Sequence, residues 1–83
     1  MIHDLKIQSK FYEKVLSGEK TFEIRFNDRN YSVGDILILN EILDQKYTGN
    51  KVTVKVVYML NHEDFPQGIP VGYVVMGIKR EGE

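Results

Sequence analysis

The chain has 83 residues, a formal net charge of −1 at pH 7, 42% hydrophobic residues and no cysteine. That length suits a single small domain over residues 1–83, with a modest core and any site in a shallow cleft or on a sheet face. The charge excludes the broad basic footprint of a duplex binder, and the missing thiols exclude disulfides and thiolate metal sites.

The opening Met1-Ile2-His3-Asp4-Leu5-Lys6 lacks the apolar run of a signal peptide. No segment approaches the ~20 apolar residues of a spanning helix. A soluble, cytoplasmic protein with no membrane partner is expected. Ile2 to Gln8 alternates and reads as a strand, with Leu5 and Ile7 on one side. Ser9 is a plausible N-cap for a short helix over residues 9–17, where Phe11, Tyr12, Val15 and Leu16 recur at helical spacing. Gly18 falls where a left-handed C-cap is expected. Thr21 to Phe26 is a second strand, followed by an exposed loop at Asn27-Asp28-Arg29-Asn30 and a tight turn at Gly34-Asp35. Ile36 to Leu43, nearly all apolar except Asn40 and Glu41, reads as a buried central strand. Asp44 to Asn50 is a polar turn region. Lys51 to Leu60 alternates, with Val52, Val54, Val56 and Tyr58 facing one way. Asn61 to Pro70 is a loop, Val71 to Lys79 the last strand, and Arg80 to Glu83 a polar tail. Five strands and one helix point to a mostly β, α+β fold with one or two short helices, closed into a small barrel or strongly curved sheet.

The chemistry concentrates in Gly18-Glu19-Lys20-Thr21-Phe22-Glu23-Ile24-Arg25. Alternation predicts Phe22, Ile24 and Phe26 on the buried face of the strand, and Thr21, Glu23 and Arg25 together on the opposite face. Lys20 follows the helix C-terminus, where carbonyls favour a cation. It is a candidate phosphate or base contact, or an activated amine; the plainer alternative is a solvated lysine. Arg25 can present its planar fork to a phosphate or stack on a base, and Glu23 can accept from a base amino group or act as a general acid or base. The alternative for that pair is an exposed salt bridge worth about 0–1 kcal/mol. Arg29 and Tyr31, beside Asp28, place a cation near an aromatic ring, a combination suited to single-stranded RNA, or simply a solvated turn. His3-Asp4 can orient an imidazole for proton transfer. His62-Glu63-Asp64 has no recognised ligand spacing, so no metal is expected there, and no common hydrolase, zincin or nucleotide-loop motif is present. No cofactor is expected.

Gly18-x-Lys20-x-x-Glu23-x-Arg25 resembles the GxKxxExR signature of ASCH domains, within the PUA-like superfamily. The wider chain is similar to the small DUF3850 proteins of bacteria and phages. That similarity rests on His3-Asp4-Leu5-Lys6, Lys20 to Arg29, Tyr31 to Leu39, Tyr47-Thr48-Gly49 and Gly72 to Ile78, and covers almost the whole chain. The resemblance implies a PUA-like β-barrel with a helix after the first strand and the signature along a cleft beside it. It also implies RNA or nucleotide binding, with Lys20, Glu23, Arg25, Arg29, Tyr31 and His3 as contact candidates. Some small ASCH relatives are amidohydrolases acting on acetylated cytidine through a lysine, a threonine and a glutamate. The lysine corresponds to Lys20, but Glu23 stands at the threonine position. The leading expectation is therefore a non-enzymatic RNA- or nucleotide-binding module. The alternatives are an amidohydrolase acting on a modified nucleoside through Lys20 and Glu23, and a protein-interaction accessory module.

Overall fold

The computed structural model describes residues 1–82. The elements are β1 (Ile2–Gln8), α1 (Ser9–Leu16), β2 (Phe22–Phe26), β3 (Ile36–Leu43), β4 (Lys46–Asn61) and β5 (Tyr73–Arg80). They form one five-stranded sheet in the order β1-β3-β4-β5-β2. β1 runs parallel to β3, and the other neighbouring pairs are antiparallel. The sheet curls into a half-barrel. Its edges, β1 and β2, are not paired as strands, so the expected barrel stops short of closure and leaves a seam.

The concave face holds the core. Leu37, Leu39, Val54, Val56, Val74 and Met76 lose all contact with solvent there, and α1 adds Tyr12 and Val15 from one side. Each strand supplies alternate residues to this face, as the two-residue period demands. The helix ends where Gly18 takes a φ of +84° and donates its N–H to the Val15 carbonyl at 3.1 Å. A Cβ there would be strained by backbone conformation alone. Its start differs from expectation. Gln8 occupies the N-cap position without a side-chain hydrogen bond, while the Ser9 hydroxyl donates to Glu41 Oε2 at 2.6 Å. The serine is drawn away from its own helix by a buried carboxylate on β3.

The alternation of β2 is present but inverted. Phe22, Ile24 and Phe26 are 45%, 57% and 55% exposed, whereas Glu23 is 4% exposed. Glu23 pairs with Met76 and Arg25 with Val74, so the polar residues take the concave face. The physical reason is neutralisation: inside, Glu23 meets both Lys20 and Arg25, and a buried carboxylate with two cationic partners is tolerated. The polar turn expected over Asp44 to Asn50 shrinks to Asp44-Gln45, with φ of +50° and +65°, and Lys46 and Tyr47 already pair back onto Leu43 and Ile42. A bulge between Val56 and Tyr58 reverses the facing of β4 beyond that point. Tyr58, expected inside with the valines, is consequently 65% exposed, and Met59 packs against the core instead.

Candidate functional site

Among the described residues, the Arg25 side chain spans the seam between β1 and β2. Arg25 donates from Nη2 to the Lys6 carbonyl on β1 at 2.8 Å and from Nε to Glu23 Oε2 at 2.9 Å. Lys20 Nζ donates to Glu23 Oε1 and to the Phe22 carbonyl, both at 2.5 Å. The three signature side chains thus converge, with Glu23 wedged between two cations. Offsets of three and two along an extended chain make this possible: Glu23 and Arg25 share a strand face, and Lys20, one residue before Thr21, folds back toward it. The partners of Lys20 are those a cation selects, including the Phe22 and Phe11 rings at 5.0 and 5.8 Å.

Two clefts flank the Arg25 bridge. The larger, about 660 Å³, lies between α1 and β2, with Phe11, Lys14, Lys20, Phe22 and Ile24 among its walls. The smaller, about 510 Å³, lies on the other side, with Asp4, Arg29, Tyr31, Asn40 and Tyr47 among its walls. Lys6 and Arg25 border both. Of the residues singled out from sequence, Lys20 and Glu23 line the larger cleft, Arg29 and Tyr31 the smaller, and Arg25 both.

His3 lines neither cleft. It is buried, with Nε2 2.8 Å from Asp35 Oδ2, and its ring meets Tyr31 edge-on at 4.8 Å. The partner anticipated for it was Asp4. That pairing fails because adjacent strand residues point to opposite faces, and Asp4 instead accepts from the Asn40 amide. Asp35 does more than shape a turn. It also accepts from the Ser32 N–H and the Met1 amino group, and the His3 contact leads in pulling its carboxyl down from 3.8 to about 2. Burial raises the Tyr31 phenol above its ordinary value, which keeps the hydroxyl a proton donor. In the Asn61 to Pro70 loop, His62 Nδ1 sits 2.6 Å from the Ile69 carbonyl and Asp64 caps the Asn61 N–H. No group of three or more metal-ligating side chains gathers among the described residues.

Sequence reasoning missed Phe11 and Phe22 as cleft walls because their helical and alternating positions assigned them to the core. Tyr47 was hidden by placement in a turn; it lies beneath Lys6 Nζ at 5.7 Å. Glu41 is a further buried carboxylate, held by Ser9, Thr48 and Asn50, and those bonds, led by Ser9, lower its pKa. The interruption it makes in an apolar strand was the visible signal.

Residues 2–78 match the family described as Domain of unknown function (DUF3850). The chain belongs to the DUF3850 family. A relative from Escherichia phage P2, an uncharacterized 12.9 kDa protein in the GpA 3′ region, is 34% identical over 76 residues, spanning 92% of this DUF3850 chain and 70% of the phage protein. The crystal structure of hypothetical protein PH0355 superposes with a TM-score of 0.66 at 20% identity, covering 96% of this chain and 99% of that one. At that identity the likeness speaks for the fold. No helix among the described residues is long and apolar enough to cross a membrane.

Proposed function

We propose that this DUF3850 chain is a PUA-like, ASCH-type module that binds RNA or a nucleotide at the β1–β2 seam. The observation that carries the reading is the convergence of Lys20, Glu23 and Arg25 on a cleft whose opposite wall presents Phe11 and Lys14. Cations beside ring faces are the combination that single-stranded nucleic acid uses, phosphate for the one and base for the other. The local gathering of Lys6, Lys14, Lys20 and Arg25 supplies a positive site on a chain whose net charge is −1. Glu23 braces Arg25 and fixes the direction of its fork. The GxKxxExR spacing supports the PUA-like assignment.

Titration of a fluorescent single-stranded RNA at rising salt tests the reading. The wild type binds with a negative salt slope, and Arg25→Ala weakens binding and flattens the slope by about one phosphate contact. Equal binding by both proteins removes Arg25 from the site, and no binding of RNA or mononucleotides by the wild type overturns the reading. The second reading, an amidohydrolase acting on an acylated nucleoside, draws on the contact of Lys20 Nζ with Glu23 Oε1 inside the cleft. It requires turnover that disappears in Lys20→Ala while the fold survives.

A further inference from the structure

The seam is divided. Its two clefts differ in character and share Lys6 and Arg25 as a common wall. The larger is faced mainly by carbon, through Ile7, Phe11, Phe22 and Ile24. The smaller is faced by hydrogen-bonding groups of both kinds: the Asp4 and Asp28 carboxylates, the Asn40 amide, the Arg29 guanidinium and the Tyr31 and Tyr47 phenols. Each volume falls in the range of about 300–1,000 Å³ typical of small-ligand sites. The dividing cation is fixed from two directions, by Glu23 Oε2 and by the Lys6 carbonyl. Its Nη1 has no hydrogen-bond partner among the described residues.

A fixed guanidinium with a spare donor, standing between two chambers, matches a ligand with an anion between two ring-bearing units. A phosphodiester joining two nucleosides is such a ligand. We propose that the seam binds two consecutive nucleotides of a single strand, one base in each chamber, with the linking phosphate at Arg25. This rests on the RNA or nucleotide reading above and narrows it to a dinucleotide step. The apolar chamber takes its base by stacking, with Phe11 and Phe22 as the available rings, and accepts any base because every base has a π-face. The polar chamber reads the edge of the second base. Asn40 Nδ2 is already spent on Asp4, Leu5 and Ile38, which leaves its Oδ1 as an acceptor, and Tyr31, which lines the same cleft, can donate through its hydroxyl. Sequence preference therefore resides in the second position.

Calorimetric titration with 5′-AMP, ADP and the 5′-phosphorylated dinucleotide pApA tests this. ADP carries extra negative charge without a second nucleoside, so it separates charge from occupancy of the polar chamber. The expected result is pApA binding at least tenfold tighter than ADP. Tyr47→Ala, at a side chain well exposed on β4, removes most of that gain, read as the ratio of pApA to ADP affinity. Phe22→Ala, also on an exposed side chain, weakens all three. Equal affinity for ADP and pApA overturns the dinucleotide proposal and leaves a single-nucleotide site. A pApA advantage indifferent to Tyr47→Ala also overturns it, because the second base then lies elsewhere. Failure of all three ligands and of longer single-stranded RNA overturns the underlying reading itself.

Discussion

Glu23 is the residue on which the site's geometry depends. Buried at 4% exposure, it holds Lys20 through one oxygen and Arg25 through the other. Removing one member of a fully buried ion pair costs about 3–5 kcal/mol. Here both cations keep some access to water, so Glu23→Gln is expected to cost about 1–3 kcal/mol. For a domain of this size that lowers the melting temperature by roughly 10 °C, readable by circular dichroism. Asp35 makes a second residue-level prediction. Its folded pKa of about 2 lies below the ordinary 3.8 because of His3 first, then the Ser32 N–H and the Met1 amino group. A depressed carboxylate contributes stability that is complete above the unfolded value and is lost as pH falls through the folded one. The wild type should lose stability steeply between about pH 4 and pH 2. Asp35→Asn should start less stable at pH 7 and lose less over that interval, as denaturant melts at a series of pH values will read.

Among the elements, the β3–β4 hairpin carries local strain that substitution can relieve. Asp44 and Gln45 both adopt positive φ, the conformation of a two-residue turn that favours Asp-Gly. Gln45→Gly should stabilise the protein by about 0.5–1 kcal/mol, since a left-handed non-glycine residue costs about that much or more. The melting temperature should rise by a few degrees. The strands and the helix were legible from period and turn chemistry, and so was the proximity of Lys20, Glu23 and Arg25, because spacing dictates it. What period cannot supply is phase. Alternation in Phe22 to Phe26 says which residues share a face and not which face turns inward. The usual rule sends phenylalanine and isoleucine in. Here the ion pairs formed by Glu23 across three residues outweigh it, and the aromatic stripe remains outside. The bulge after Val56 coincides with the Val56-Val57 doublet, where the alternation breaks, but the apolar run on to Leu60 does not say which residue is the extra one. Glu41 showed as a break in an apolar strand, but its partners Thr48 and Asn50, like the place of Tyr47, depend on pairing across strands, which a single sequence does not display.

For the molecule as a whole, the arrangement of strands has a consequence for the order in which they assemble. β1 and β2 are separated along the chain only by the short helix and its turn, yet they occupy opposite ends of the sheet. Neither can seat on a sequence neighbour. β3, β4 and β5 form a consecutive antiparallel meander and can close through local loops at lower entropic cost. The meander is therefore expected to form in the transition state, with the N-terminal third docking afterwards. In stopped-flow kinetics Gln45→Gly should mainly accelerate folding, whereas Glu23→Gln should mainly accelerate unfolding. On the ribosome this inverts birth order: the segment that emerges first is the last to find its place. Until β5 has been synthesised, β2 has no neighbour to pair with, and the nascent chain carries its aromatic stripe through that interval unpaired.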